Sequence, residues 1–294
     1  MKYTPASTVE MLSDAHVAVV GLGLMGGSLA GALRGHCRAV TGIDHRPETI
    51  ETAQQMGLVD YGTTNLADGV AEADIVVLAT PVRVILQQLT MIGPLVPPGC
   101  LVMDLGSTKA EVTAAMGRLP AHVQPLGGHP MCGKEISGIE TADPALYQGC
   151  TFILSPLRHT SEEALALGKA LVMTVGASPL VLQPARQDFL AATLSHLPYL
   201  LACALVATAD TLTSPDPAAW KIVAGGFRDT SRVAGSDVTM MIDILLTNRK
   251  AVLKALSVYQ DRLQELFHLV ESGDEEKMQA TLRRIRCIRR EMFP

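Results

Sequence analysis

The 294-residue chain has no dense basic patch. Its formal net charge is −5, and its arginine cluster at residues 283–286 and 289–290 is flanked by Asp274, Glu275, Glu276 and Glu291. That pattern reads as a solvated helix face with i,i+4 charge pairing, and it speaks against nucleic acid as the main partner, because a phosphate-binding surface needs concentrated positive charge. Charged residues are scarce altogether, 18% against 48% hydrophobic, which excludes a disordered chain. The six cysteines, at 37, 100, 132, 150, 203 and 287, show neither metal-ligand nor redox spacing, so neither a metal site nor a disulfide framework is expected. Several lie in apolar runs, as buried reduced thiols of a cytoplasmic protein do. No signal peptide is expected, since residues 1–14 carry two acids and no long apolar stretch. The most membrane-like run, residues 197–209, is bounded by His196 and Asp210; it is short for a bilayer crossing and reads as a core or interface helix. Internal repeats and low-complexity segments are absent as well.

What is present is alternation. Short apolar runs at residues 16–20, 38–43, 74–79, 100–105, 123–126, 151–154 and 179–182 read as strands. Helical patterns fall between them, at 25–34, 47–56, 82–92, 109–116 and 161–175, with Pro47 at a first helical turn. Alternation of this kind implies a parallel, doubly wound α/β sheet with crossover helices. Beyond residue 185 no strand pattern remains. Apolar-periodic stretches at 186–209, 218–233, 239–270 and 275–291 predict an all-helical second half that buries its stripes against itself or a second copy. The expected division is 1–184 and 185–294, near Gln183-Pro184.

The segment Gly21-Leu22-Gly23-Leu24-Met25-Gly26 follows the first strand and opens the first helix. In that context the first glycine permits a tight turn and the second lets backbone approach a pyrophosphate. The third lets helix and strand pack closely, with the helix N-terminus facing the phosphates. Gly21, Gly23, Leu24, Met25 and Gly26 are therefore candidate cofactor contacts, as are Thr80 and Pro81 after the third strand. Asp44 ends the second strand, where a carboxylate accepts ribose hydroxyls and repels a 2′-phosphate, which favours NAD. His45 and Arg46 beside it leave NADP open.

Four further segments carry a resemblance: Asp104-Leu105-Gly106-Ser107-Thr108-Lys109, Gly127-Gly128-His129-Pro130-Met131, Ser195-His196-Leu197-Pro198 and Gly225-Gly226-Phe227-Arg228-Asp229-Thr230-Ser231-Arg232. In this order, from about residue 16 to the end, the chain resembles the prephenate/arogenate dehydrogenase family. The resemblance implies a Rossmann-type domain followed by a helical domain that forms a homodimer. It also implies an NAD-dependent oxidative decarboxylation in tyrosine biosynthesis: hydride leaves a carbinol carbon, and loss of a ring carboxylate as CO2 aromatises the ring.

By the same resemblance His129 is the catalytic histidine, placed by the sequence in a glycine turn just after a strand. Ser107 hydrogen-bonds near the hydroxyl and nicotinamide, and Arg232 holds a substrate carboxylate. Read from the residues alone, Ser107 is equally a helix cap, Lys109 equally an anion anchor or a solvent-facing lysine, and Arg232 equally a partner of Asp229 or Asp237. Arg228 stands at even odds between substrate contact and pairing with Asp229. His196 reads either as a substrate contact or as a buried histidine bonded to backbone.

Many prephenate-specific relatives have a second histidine where this chain has Tyr199, and an aromatic residue where it has Met240-Met241, a pair more like arogenate-using members. Tyr199 is a candidate substrate contact. Prephenate is the expected substrate, with arogenate or dual use as the alternative. An ammonium group would need an acid, and Asp237 and Asp243 are the candidates. No appended regulatory domain is expected, so feedback by tyrosine would act at the active site. Two rival readings are a β-hydroxyacid dehydrogenase, which would need a lysine such as Lys221, Lys250, Lys254 or Lys277 as its acid/base group, and a non-catalytic NAD-sensing dimer.

Overall fold

The computed structural model describes residues 11–214 and 216–292. Most of the stretch read for a signal peptide therefore lies outside the described residues. The strands are β1 His16–Val20, β2 Ala39–Ile43, β3 Tyr61–Thr63, β4 Ile75–Leu78, β5 Leu101–Asp104, β6 Gln124–Pro130, β7 Thr151–Pro156 and β8 Ser178–Val181. They form one eight-stranded sheet in the order β3-β2-β1-β4-β5-β6-β7-β8. Helices α1 Leu24–Leu33, α2 Pro47–Gln55, α3 Leu66–Val70, α4 Val82–Gln88, α5 Ala110–Met116 and α6 Glu162–Thr174 connect them.

The strands are apolar on both sides because both faces are covered. Val17, Val19, Ile75, Val77, Leu101 and Met103 point to one core with Leu29 and Leu33 of α1 and Leu171 of α6. Ala18, Val20, Val76, Leu78 and Val102 point to the other, with Ile85 of α4 and Met116 of α5. Strand order runs outward in both directions from the β1–β4 pair. That reversal opens a crevice at the carboxyl ends of the strands, where doubly wound sheets bind ligands.

Beyond β8 the chain is helical: α7 Pro184–Ala191, α8 Leu197–Thr213, α9 Gly225–Ser231, α10 Val238–Thr247, α11 Arg249–Ser272 and α12 Glu275–Met292. A π turn, Ala192–His196, joins α7 to α8. The resulting run, Pro184–Thr213, is 30 residues, long and apolar enough to cross a membrane by length and composition, which corrects the reading of a short segment. Gln187, Asp188 and His196 within it are buried. Each is hydrogen-bonded to another part of the chain.

The sheet departs from expectation in three places. β6 and β7 pair antiparallel, not parallel. The segment between them contains only a single-turn helix, Ile139–Thr141, among its described elements, so no crossover helix returns the chain to the starting edge. β6 also runs through Pro130, placing His129 inside the strand opposite Ile153 and not in a turn beyond it. β3 and α3 escaped the pattern reading because they are only 3 and 5 residues long, and Tyr61 of β3 is exposed. In the helical half, Asn248 interrupts the expected 239–270 stretch and divides α10 from α11.

Candidate active site

The glycine loop has the geometry of a phosphate cradle. Gly21 sits at φ 94°, where side chains rarely go, and its N–H donates to Ile43 O at 2.7 Å. A Cβ at Gly26 would run into the carbonyl oxygen of Gly21 and the Ala79 side chain. A Cβ on Gly23, the N-cap of α1, would meet nothing within 4 Å. The helix N-terminus therefore opens onto space, as anion binding requires. Leu24 is buried and Met25 partly so, and the Met25 carbonyl accepts from the Tyr147 hydroxyl at 2.8 Å, which anchors the first turn.

Asp44 closes the other side. Its Oδ2 accepts from Leu22 N at 3.0 Å and its Oδ1 from Arg46 N at 3.1 Å, so one carboxylate ties the end of β2 to the glycine loop. His45 Nδ1 lies 3.2 Å and Arg46 Nε 3.6 Å from Oδ1. A carboxylate has about four lone-pair directions, so these bonds leave acceptor capacity toward the crevice. Thr80, whose hydroxyl donates to Gln88 Oε1 at 2.8 Å, and Pro81, the N-cap of α4, form the facing wall.

The turn after β5 is built on a buried ion pair. Asp104 and Lys109 are both fully buried and paired with one another. Asp104 also accepts from Gly106 N at 2.8 Å and from Gly128 N at 3.0 Å, which clamps the β5 turn to β6. Burial pushes the Asp104 carboxyl up, opposed by the Lys109 ammonium and these two N–H groups. Lys109 is thus no solvent-facing side chain, and its charge sits inside the site.

Ser107 does not cap α5. The helix begins at Ala110, and its first N–H groups are held by Asp188 of α7: Lys109 N to Oδ1 at 2.7 Å and Ala110 N to Oδ2 at 2.8 Å. Asn248 in turn donates to Asp188 O at 2.7 Å. Ser107 instead presents its carbonyl to Gln187 Nε2 at 3.2 Å, and the same nitrogen lies 3.0 Å from His129 Nδ1. His129 is buried in β6 and His196 in the π turn, where its Nδ1 lies 3.3 Å from Asn248 Nδ2. His196 is buried and its ring meets a side-chain amide, where the sequence reading offered backbone.

Burial lowers the His129 pKa to about 3, helped by the Lys109 charge and then by His196. Burial alone lowers His196 to about 4. Both rings are neutral at neutral pH. Because the folded values lie below the free-histidine value, the unfolded chain binds more protons between about pH 6.5 and the folded pKa. The associated stability is present above that window and lost as pH falls through it. We expect urea midpoints to drop as pH is lowered from 7 to 5, with up to about 1.4 kcal/mol per pH unit from each histidine. His129→Asn should show a shallower slope than the native chain; an identical slope would mean that the ring is not held neutral.

Arg232, in the single turn that follows α9, is exposed and pairs with Glu135, not with Asp229 or Asp237. Glu135 lies six residues past His129 on the segment that leaves β6. Arg228 has no ion pair among the described residues, and Asp237 caps its own helix through Met240 N at 2.7 Å. Asp243 is buried and accepts from Arg83 N at 3.2 Å and Arg83 Nε at 2.5 Å, fastening α10 to α4. Tyr199 lies on the first turn of α8, three residues from His196. His129, the Ser107 carbonyl, Lys109 and His196 therefore lie together, while Arg232 is tied through Glu135 to the segment that leaves β6. Gln187, Asp188, Asn248 and Glu135 went unread in the sequence, and the adjacent polar pair Gln187-Asp188 opening an apolar helix was the available signal.

Comparison with known proteins identifies the family. The family model described as prephenate dehydrogenase, nucleotide-binding domain, matches residues 29–181, and that described as prephenate dehydrogenase, dimerization domain, matches residues 183–284. The chain is 34% identical to the Aquifex aeolicus prephenate dehydrogenase whose structure contains hydroxyphenyl propionate and NAD+, with a TM-score of 0.88 over 96% of this chain and 99% of that one. It is 32% identical to prephenate dehydrogenase of Bacillus subtilis strain 168, over 89% of this chain and 72% of that protein. Against the arogenate dehydrogenase of Synechocystis the identity is 30% and the TM-score 0.82, covering 94% and 99% of the two chains. A glycine loop, a buried histidine in β6 and a helical second half thus occur here in a chain that belongs to the prephenate dehydrogenase family.

Proposed function

We propose that this chain is an NAD-dependent prephenate dehydrogenase, a cytoplasmic homodimer that serves tyrosine biosynthesis. It divides near residue 184 into a nucleotide-binding domain and a helical substrate and dimerisation domain. The observation that carries the reading is the buried His129, joined through Gln187 to the Ser107 carbonyl near the carboxyl end of β6. NAD, when bound, supplies the hydride acceptor. Gly21, Gly23, Leu24, Met25 and Gly26 would hold its diphosphate, Asp44 its ribose, and Thr80 and Pro81 its opposite flank.

His129 takes the proton of the substrate hydroxyl, a role suited to a ring that rests neutral. Ser107 hydrogen-bonds the same oxygen. Lys109, buried against Asp104, holds the turn that carries Ser107. Arg232 holds a substrate carboxylate through parallel N–H bonds. His196 and Tyr199 line the remaining side.

Prephenate is favoured over arogenate because the candidate acids are engaged. Asp243 is spent on Arg83 and Asp237 on its own helix, which leaves neither of the two for an ammonium group. The similarity to the Synechocystis arogenate dehydrogenase keeps arogenate, or dual use, as the second reading. The dimer is supported by the apolar surface of the helical half, where Leu212, Ile222, Phe267 and Val270 are each more than half exposed.

Initial rates of NADH formation with prephenate and with arogenate, each repeated with NADP, test the reading. Turnover with prephenate and NAD supports it, and inactivity in all four combinations removes it. Arg232→Ala should raise KM for the substrate about ten- to a hundredfold with a smaller change in kcat, since a charged, bidentate contact contributes roughly 1.5–3 kcal/mol to binding. An unchanged KM would assign the carboxylate to another residue.

A further inference from the structure

The six cysteines show no redox spacing along the chain, yet the reversal of β7 brings two of them together. The β6–β7 register ends with Pro130 opposite Phe152, and a bond from Met131 N to Thr151 O at 2.8 Å carries it one residue further. The next pair in that register is Cys132 and Cys150. Met131 and Thr151 share a ladder hydrogen bond, so the cysteines occupy the adjoining non-hydrogen-bonded position, where cross-strand side chains come closest. Cα atoms at such a position stand about 4.5 Å apart, within the roughly 4.4–6.8 Å that a disulfide spans. Cys150 N donates back to Tyr147 O at 3.2 Å, in keeping with a pair that has no ladder bond of its own.

The surroundings of the two thiols agree. Both are partly exposed. Burial, with the neighbouring Cys150 thiol next in importance, pushes Cys132 up to about 12. Cys37 and Cys100 are also raised by burial, but their charged neighbours are the carboxylates of Asp60 and Asp74 and not a second thiol. Cys203 and Cys287 belong to the helical half, on α8 and α12.

We propose that Cys132 and Cys150 are a modification site: they form a reversible disulfide by exchange with a low-molecular-weight disulfide. One cysteine gives its proton to solvent, and its thiolate attacks a sulfur of the small disulfide, whose S–S bond breaks to release one small thiolate. The second cysteine, deprotonated in turn, attacks the protein sulfur of the mixed disulfide and releases the other. The two protein sulfurs lose two electrons, the small disulfide gains them, and each released thiolate takes up a proton. The bond closes residues 133–149 into a loop. That loop holds Glu135, the partner of Arg232, and Tyr147, whose hydroxyl donates to Met25 O at the first turn of α1. In a reducing compartment the two thiols are the resting state. Exchange is slow at neutral pH and speeds up with the thiolate fraction, by up to about tenfold per pH unit.

The test incubates native enzyme with glutathione disulfide at about pH 8.5, near the ordinary thiol pKa, until the free-thiol count is constant. Acid quenching and peptide mass mapping follow. The expected product has lost two of its six thiols and about 2 Da, and it contains a Cys132–Cys150 link that dithiothreitol removes. Its thermal midpoint should exceed that of the reduced enzyme by at least about 4 °C, because the link restricts the unfolded chain. Cys132→Ser, treated alike, should form no internal link, retain glutathione on Cys150 and gain nothing in midpoint. Six free thiols at the plateau, glutathione adducts without the internal link, or a link between any other pair overturns the proposal. A link without a gain in midpoint overturns it too, since the bond would then form only by distorting the native pairing. None of these measurements depends on turnover, so they stand apart from the assignment of the reaction.

Discussion

His129→Asn is expected to lower kcat about a thousandfold, within the range general-base catalysis contributes, while the Kd for NAD changes little. The asymmetry follows from where the residue sits. His129 is in the interior of β6, opposite Ile153, with Gly127 and Gly128 before it and Pro130 after it. The strand is held by its ladder to β7 and by the Gly128 bond to Asp104, neither of which uses the imidazole. Asparagine keeps a polar group toward Gln187 but has no ring nitrogen to take a proton. The glycine loop and Asp44 stand on β1, α1 and β2, three strands or more away in the sheet order. Calorimetric titration with NAD beside steady-state kinetics measures both quantities. A kcat within about threefold of native would take His129 out of the chemistry, since a lost general base costs at least about a hundredfold.

Lys109→Met should destabilise the protein by about 3–5 kcal/mol at neutral pH, because it leaves the Asp104 carboxylate buried without its cation. Asp104 still accepts from Gly106 N and Gly128 N, but two amides do not replace an ammonium in a dry interior. The loss should shrink as pH is lowered, since a protonated Asp104 no longer needs the partner. Adding Asp104→Asn should recover part of it, the charge having been removed from both sides. Urea unfolding of the two variants at pH 7 and pH 5 measures this. A Lys109→Met protein as stable as the native chain would mean that water reaches Asp104.

The sheet was legible in the sequence because strands buried on both faces spell themselves out as unbroken apolar runs, as residues 75–78 and 101–104 do. The glycine loop was legible for a different reason: Gly21 and Gly26 are demanded by φ and by contact, and only glycine satisfies either. Reversal of β7 was not legible, since an antiparallel strand fully covered by helices carries the same apolar pattern as a parallel one. The environment of His129 was hidden for a related reason. Its partners come from residues 104–109, 187 and 196, and pattern along the chain does not report which distant polar groups meet. Lys109 shows the same limit, because a lysine just before a helix looks solvated until its counter-charge is found five residues back.

Asp188 has a consequence for the order in which the molecule matures. The N-terminus of α5 lies in the nucleotide-binding half, yet the groups that satisfy its first two N–H donors arrive 78 or 79 residues later on α7. While the chain is being made, β5, its turn and β6 can pair as soon as they emerge, but the start of α5 stays open until the first helical turns beyond residue 184 follow. Ser107 and His129 gain their shared partner Gln187 in that same step. Nucleotide-binding competence should therefore precede catalytic competence on the growing chain, and a partly synthesised enzyme would hold its cofactor without being able to use it.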